Sequence, residues 1–333
     1  MGVSKKYKNK TIKNKHFKRK TERKHTKIIL KIGHEQKTNC NPAVENKTVQ
    51  SGSCLTPEII ILLKNQYNKY YPTNPIHSTD PKELLNLLKI KFNEKGCKKE
   101  LCMLEEIKDI ELRENVKKEI FAPDQPIEWK TNPDEWLSNY DIMNVIRQYE
   151  KKYTDFKFFG PTTIDFDTRL PELNNKCVEN NLCEFNLKKD LKNGFQHFAC
   201  VFNLDKHYES GSHWVSMFVD IPEKIIFYFD SAASPIPQEI TVLVKRLQKQ
   251  SLQLDKPFRF KYYSNGNLRH QNGGTECGMY ALFFIITMLT GKTPFFKEHI
   301  LSMKERIHLF TKKKIRDEVV FDYRDLYFNP REE

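Results

Sequence analysis

Residues 271–289 have the sequence QNGGTECGMYALFFIITML, and this stretch decides the fold. A long apolar run that follows Gly273-Gly274 and stops before Gly291 predicts a buried helix over 277–289. The run is too short to span a bilayer, which needs about 20 apolar residues. The stretch therefore sets Cys277 at the first turn of a core helix.

A thiol at a helix N-terminus differs chemically from a thiol elsewhere. The positive end of the helix dipole lowers the pKa of such a thiol and favours the thiolate. Gly278, which follows Cys277, is expected to let a substrate approach closely. Because a buried structural cysteine is the commoner alternative, Cys277 predicts catalysis only if suitable partners exist.

Two apolar segments upstream supply such partners. Residues 213–221 and 224–230 are apolar on both faces and are joined at Pro222-Glu223, which predicts a hairpin of central strands. His213 begins the first strand and Asp230 ends the second, so the hairpin sets them within a residue or two of each other. An Asp beside a His fixes its tautomer and stabilises the imidazolium, although a chance pair at strand ends is the alternative.

Gln271 and Trp214 complete an ordered set. Gln271 lies six residues before Cys277, and its amide is suited to donate to a developing oxyanion together with the backbone N–H of Cys277. Trp214 is expected either to wall a substrate channel or to pack in the core. Taken in chain order with His213 and Asp230, these residues predict a thiol protease.

The ordered set resembles the ubiquitin-like-protein (SUMO) protease and adenovirus-type protease clan of cysteine peptidases over roughly residues 136–310. Within that clan it is most similar to the virion-maturation thiol proteases of large DNA viruses. The resemblance implies an α+β fold with a central mixed β-sheet flanked by helices, a SUMO-protease-like, papain-related fold. It implies no cofactor, and it implies the roles of general base for His213, orienter for Asp230, oxyanion donor for Gln271 and nucleophile for Cys277.

The resemblance also implies a substrate site. Trp136-Leu137 followed by Asp141-Ile142 is similar to the motif that opens the clan's catalytic domain, and Trp214 would line a narrow tunnel that passes only small residues such as Gly-Gly. The expected substrate-binding residues are Trp214, Trp136 and Gly278. One departure is Glu276, because cellular SUMO proteases usually have Asp before the Cys.

The rest of the chain divides by composition and apolar spacing. Helices are expected at Pro57–Tyr70, after Asp80-Pro81, and over Leu101–Ile120, the last with Ile110 and Leu112 on its apolar side. The three expected parts are a disordered basic arm (1–53), a helical accessory region (54–125) and a cysteine protease catalytic domain (126–333).

The basic arm holds nearly all of the net charge. The 333 residues carry a formal charge of +13, of which residues 1–33 contribute +12. Such dense like charge predicts binding to nucleic acid or another polyanion, or a nuclear address, with a solvated tail as the alternative. The expected nucleic-acid-binding residues are Lys5, Lys6, Lys18, Arg19, Lys20, Arg23 and Lys24.

The cysteines and the N-terminal sequence indicate the cellular compartment in which the chain is expected to act. The eight cysteines include no Cys-x-x-Cys pair, and no apolar run that would indicate a signal peptide occurs at the N-terminus. We expect free thiols, a reducing compartment and no metal, because the spacing of Cys177, Cys183, His197 and Cys200 matches no common zinc finger. A chain that is not secreted would act in the virion, viral factory or host cytoplasm if viral, and otherwise in cytoplasm or nucleus. We expect a monomer without a membrane partner.

Four functions stay open on the sequence. The first is processing of viral core polyproteins during virion maturation, with cleavage after small Gly-containing sites. The second is the same chemistry on SUMO or another ubiquitin-like modifier. The third is an acetyltransferase, because a bacterial effector family reuses a related fold, but Trp214 and Gln271 favour the protease. The fourth is a non-catalytic nucleic-acid-binding virion protein, which the intact set of four catalytic candidates argues against.

Overall fold

The computed structural model describes residues 38–296 and 299–331. Its N-terminal part consists of helices that surround one apolar cluster. Asp80 caps the second helix by accepting the backbone N–H of Glu83 at 2.9 Å, and Pro81 begins it, as expected for a first helical position. These helices are α1 Pro57–Tyr70, α2 Pro81–Asn93, α3 Glu100–Met103 and α4 Ile110–Ile120. The 3-10 helices of this part are Pro42–Val44 and Leu104–Glu106.

The predicted helix over Leu101–Ile120 is wrong as a single element. The chain leaves the helix after Met103 and re-enters it at α4, where Asp109 accepts the backbone N–H of Leu112 at 3.0 Å. Ile110 and Leu112 are 67% and 37% exposed, so they do not form an apolar face. The apolar spacing continues across Asp109, which caps the start of a new helix, so the spacing alone did not reveal the break.

The predicted disordered arm is too long, because residues 38–53 are folded. Cys40 is disulfide-bonded to Cys54 and forms a β-bridge with Phe121. Val44, in the 3-10 helix Pro42–Val44, is buried in the same apolar cluster as the helices. The remainder of the predicted arm, including its seven expected nucleic-acid-binding residues, lies outside the described residues. The division between accessory region and catalytic domain stays a prediction.

The prediction of free thiols is wrong for six of the eight cysteines. Three disulfides join cysteines that are 5 to 14 residues apart in the sequence, at Cα–Cα distances between 5.1 and 6.3 Å. Backbone turns bring each pair within the range that a disulfide requires, and turns of this kind are not visible in cysteine spacing alone. The bonded pairs are Cys40–Cys54, Cys97–Cys102 and Cys177–Cys183, which leaves Cys200 and Cys277 free.

The C-terminal part is built on a five-stranded mixed sheet. The strands are β1 Phe156–Thr163, β2 Arg169–Leu170, β3 Lys176–Cys177, β4 His197–Asn203, β5 Trp214–Asp220, β6 Ile225–Phe229 and β7 Lys261–Ser264. The strand order in the five-stranded sheet is β1-β4-β5-β6-β7, with the outer pairs β1–β4 and β6–β7 parallel and the inner pairs antiparallel.

The helices of this part flank the sheet. They are α5 Asn139–Lys152, α6 Asn180–Cys183, α7 Leu187–Lys192, α8 Gln238–Leu252, α9 Cys277–Thr290, α10 Met303–Lys312, α11 Asp317–Asp322 and α12 Arg324–Tyr327. The 3-10 helices are Ile127–Lys130 and Pro171–Leu173.

The central hairpin is buried on both faces, as predicted. Every residue of β5 and β6 is buried. On one face Phe227 and Phe229 pack against α9 and α10, with the rings of Phe229 and Phe284 stacked at 4.8 Å. On the other face the strands pack against α8. The predicted α+β fold, a mixed central sheet flanked by helices, is confirmed.

The apolar helix α9 ends as its sequence predicts. Gly291 follows it in the left-handed conformation, with φ of 67°, and returns its N–H to the carbonyl of Thr287 at 2.9 Å. Glycine adopts this conformation without a steric penalty, so it terminates the helix at a defined residue. Within the described part of the chain, no helix is both long and apolar enough to cross a bilayer.

Candidate active site

The end of the central hairpin brings His213 and Asp230 together. Nε2 of His213 lies 2.6 Å from Oδ1 of Asp230. The carboxylate is fully buried, and it also accepts the backbone N–H groups of Ala232 and Ser234, each at 2.8 Å. Because three donors fix the carboxylate, it holds the imidazole in one orientation.

The pKa values of this pair move in opposite directions. Burial disfavours the charged imidazole, but the hydrogen bonds to Asp230 and to Cys277 outweigh it and raise the pKa of His213 to about 9. Burial likewise disfavours the carboxylate, yet the His213 hydrogen bond and nearby backbone N–H groups lower the pKa of Asp230. At neutral pH the pair is therefore imidazolium and carboxylate, the state that stabilises a neighbouring thiolate.

Cys277 begins α9 and is 1% exposed. Its thiol is within hydrogen-bonding reach of His213, and Nδ1 is the ring nitrogen left for it because Nε2 is bound to Asp230. The N-cap residue of α9, Glu276, makes no side-chain capping hydrogen bond. The first N–H groups of the helix are therefore not occupied by this residue's side chain and are suited to bind an oxyanion.

Gln271 lies on the loop before α9 and is 3% exposed. Its Oε1 accepts the hydroxyl hydrogen of Ser231 at 2.7 Å, and its Nε2 donates to the carbonyl of Gly273 at 3.0 Å. The Gly273 carbonyl can only accept, so it fixes which end of the amide is the donor, and the Ser231 hydroxyl holds the other end. Since the Nε2 amide carries two hydrogens, one remains for a ligand.

Trp214 and Trp136 both line one open groove of about 750 Å³. The indole N–H of Trp214 donates to the carbonyl of Leu137 at 3.0 Å, which fixes the ring against the segment before α5. That segment is itself held by a capping box between Ser138 and Asp141. Trp136 is 37% exposed in the groove, so its face is available to a ligand.

Gly278 packs against Leu137. A Cβ built on Gly278 would lie 3.0 Å from Cβ of Leu137, so the absent side chain admits Leu137 against α9. Gly278 is buried. The expectation that its role is to let a substrate approach is therefore replaced by a packing reason, while any contact of Gly278 with substrate stays a prediction.

Three supporting residues were missed by reasoning from the sequence. Asn265 accepts the Asp230 N–H at 3.1 Å and donates to the Asp230 carbonyl at 2.7 Å, which pins the strand end. Ser231 orients Gln271, as described. Asp317 accepts the backbone N–H groups of Asn272 at 2.9 Å and Gly273 at 2.8 Å and so holds the loop before the thiol. Of the three, only Ser231 could have been suspected from the sequence, because it directly follows Asp230.

No three His, Cys, Asp or Glu side chains of residues 38–296 and 299–331 are grouped in a way that would hold a metal ion. Cys177 and Cys183 are bonded to each other. His197 instead faces two carboxylates, with Nδ1 at 3.2 Å from Asp220 and Nε2 at 3.5 Å from Asp155.

Comparison with known proteins identifies the type of domain. Residues 178–321 match the family model described as the Ulp1 protease family, C-terminal catalytic domain. A protein of Acanthamoeba polyphaga mimivirus named as a thiol protease is 28% identical over 272 residues, which cover 76% of this chain and 85% of that protein. A SUMO-1 cysteine protease of African swine fever virus is 28% identical over 248 residues, covering 69% of this chain and 88% of that protein.

A solved structure agrees on the fold. The crystal structure of an African swine fever virus protease superposes with a TM-score of 0.58 at 22% identity, and the match covers 88% of this chain and 96% of that one. The resemblance drawn from the sequence is confirmed: residues 178–321 are similar to the Ulp1 protease catalytic domain, and the prediction of a cysteine peptidase is confirmed.

Proposed function

We propose that this chain is a viral thiol protease that processes core polyproteins during virion maturation, with Cys277 as nucleophile. The observation that carries the proposal is one arrangement: buried Asp230 binds His213 at 2.6 Å, and the thiol that begins α9 is near enough to help raise the pKa of His213. Gln271 serves as the oxyanion donor. The viral origin of both curated relatives supports the setting.

The reaction is acyl transfer to the thiol. The Cys277 thiolate attacks a peptide carbonyl, and the resulting tetrahedral oxyanion is bound by the Cys277 N–H and by Nε2 of Gln271. The His213 imidazolium gives its proton to the leaving amine, so the amide bond breaks and a thioester forms. His213 then accepts a proton from water, which hydrolyses the thioester and returns the free thiol. Asp230 stabilises the imidazolium throughout.

The substrate is bound in the groove that Trp136 and Trp214 line. Trp214 directly follows His213, so one wall of the groove adjoins the proposed general base. Small residues such as glycine before the scissile bond are the proposed specificity, as the resemblance to the SUMO proteases implies. Cleavage after Gly-Gly-x or Gly-x-Gly sites in extended, accessible segments of a polyprotein follows from it.

The other parts of the chain have proposed roles as well. Residues 126–333 form the catalytic domain and residues 54–125 an accessory region. The basic residues within 1–33 bind nucleic acid and keep the enzyme with the genome in the virion or viral factory. The enzyme acts as a monomer, since all four proposed catalytic residues belong to one chain.

The experiment that tests this proposal measures the reactivity of the two free cysteines. Iodoacetamide labelling is followed by mass spectrometry across pH. Cys277 is expected to be alkylated faster than Cys200 at neutral pH. Cys200 is the internal control, because burial raises its pKa well above the ordinary value. Equal reactivity of the two thiols, or a Cys277→Ala variant that still cleaves a Gly-Gly peptide, contradicts the proposal.

A second candidate function is the removal of SUMO or another ubiquitin-like modifier. It is favoured by the name of one relative, a SUMO-1 cysteine protease. The two functions separate in a competition between a Gly-Gly polyprotein-junction peptide and a folded SUMO–peptide fusion. A peptide cleaved as fast as the fusion supports polyprotein processing, because the folded modifier then adds nothing. A fusion cleaved a hundredfold faster supports the modifier.

A further inference from the structure

A buried ion pair lies beside the proposed nucleophile. Glu276 directly precedes Cys277, and its Oε1 accepts from Nη2 of Arg324 at 2.6 Å. Both side chains are only 5% exposed. The partners are 48 residues apart in the sequence, so the pair joins α9 to the short helix α12. Charged side chains are almost never buried to this degree unless they are paired.

Arg324 also contacts the segment that precedes the groove residues Glu135 and Trp136. Its Nη1 donates to the carbonyl of Pro133, in the segment that leads to Trp136. Its guanidinium lies over the ring of Trp129, 4.1 Å from the centroid, and over that of Phe321 at 4.3 Å. One side chain therefore ties the groove wall, the aromatic cluster and the residue before the thiol together.

Glu276 would be costly to bury without a partner. An unpaired carboxylate that is removed from water loses its hydration without compensation. The Oε2 atom of Glu276 is buried and accepts no hydrogen bond from the described residues. The compensation for this carboxylate thus comes mainly from Arg324, whose guanidinium stays charged at any working pH.

We propose that Arg324 is a positioning residue of this protease: it neutralises Glu276 beside the nucleophile and locks the start of α9 to the segment that carries Trp136. The inference rests on Cys277 being the nucleophile, as proposed above. Arg324 acts through Glu276 and Pro133 and does not touch the substrate. The pair therefore acts on the start of α9 and on the groove through its geometry.

The pairing is tested by thermal unfolding of the full chain. Glu276→Gln leaves the buried Arg324 without its carboxylate, so Tm is expected to fall. Glu276→Asp keeps the charge and is the matched control, with a smaller fall. A double variant, Glu276→Gln with Arg324→Met, removes both charges and is expected to recover most of the lost Tm.

The geometric effect is tested by kinetics on the double variant. A neutral pair of similar size often replaces a buried ion pair without loss of stability, so this variant is expected to fold even if Glu276→Gln alone does not. Loss of the contact to the Pro133 carbonyl loosens the groove wall and is expected to lower kcat/KM about tenfold, mainly through KM. Wild-type kcat/KM in the folded double variant overturns the positioning role.

Two results overturn the pairing. One is a Glu276→Gln variant with an unchanged Tm, and the other is a double variant whose Tm falls as far as that of the single variant. Failure of the proposed function gives a different pattern, because wild-type Cys277 would then react no faster with iodoacetamide than Cys200. The unfolding curves and the labelling experiment therefore distinguish the two failures.

Discussion

Replacing Ser231 with alanine tests how the proposed oxyanion donor is oriented. The Ser231 hydroxyl is the donor to Oε1 of Gln271, at 2.7 Å, and both residues are buried. Its removal leaves a buried carbonyl oxygen without that partner, which costs about 1–3 kcal/mol. The Gln271 amide then keeps only the hydrogen bond from its Nε2 to the Gly273 carbonyl at 3.0 Å, so the direction of its second N–H is held less firmly.

The magnitude is bounded by the loss of the whole donor. Removing one oxyanion-hole donor costs about 10²–10³ in kcat in a protease. Ser231→Ala keeps Gln271 and removes only its orientation, so a fall in kcat of about tenfold is expected, equivalent to about 1.4 kcal/mol. KM is expected to stay near the wild-type value, because the oxyanion exists only in the transition state.

The assay uses a fluorogenic Gly-Gly peptide and measures kcat and KM separately, with thermal unfolding to monitor stability. Ser216→Ala is the matched control: Ser216 is buried in β5, and its hydroxyl has no hydrogen-bond partner within the described residues. It is expected to leave kcat unchanged. The reasoning is refuted if Ser231→Ala lowers kcat equally in the wild type and in a Gln271→Ala background, because the serine would then act independently of the amide.

Two further predictions concern packing and pH. Gly278→Ala is expected to lower the unfolding free energy by about 1–3 kcal/mol, because its Cβ would meet Leu137 at 3.0 Å. The measurement is chemical denaturation. Gly274→Ala is the neutral control, because a Cβ there would have nothing within 4 Å. The pKa of His213 rises on folding from 6.5 to about 9, so its stabilisation is complete below pH 6.5 and is lost as pH rises through 9. The pKa of Asp230 falls below 3.8, so its contribution is present above that pH and is lost as pH falls. Thermal unfolding should show an alkaline loss of stability that is smaller in Asp230→Asn; an equal loss in both proteins contradicts the coupling.

Several elements were predicted correctly because their signals are local. The apolar run from Cys277 to the glycine at 291 has one outcome in a folded chain, a buried helix with a glycine stop. The two fully apolar segments joined at Pro222-Glu223 likewise predict a central hairpin. Strand alternation and hairpin pairing then bring His213 and Asp230 together without knowledge of the remaining fold.

Other predictions failed because a helix cap or a tertiary contact overrode the local pattern. The apolar spacing over Leu101–Ile120 continued through Asp109, whose carboxylate caps a new helix. Cysteine spacing gave no indication of pairing, because a disulfide depends on the separation of two backbones in space. The folded residues 38–53 were likewise hidden, since their stability depends on contacts such as Cys40 with Phe121.

The sequence by itself determined the chemistry, and the tertiary structure decided how that chemistry is held. A cysteine at a helix start, a hairpin that pairs a histidine with an aspartate, and a glutamine before the thiol are all encoded within short stretches. Asp317 and Arg324 contact the segment before the nucleophile from 40 or more residues away, where no periodicity connects them to it. Their roles arise from the packing of α11 and α12 against α9, and burial alone converts the Glu276–Arg324 pair from a solvated surface contact into a structural constraint.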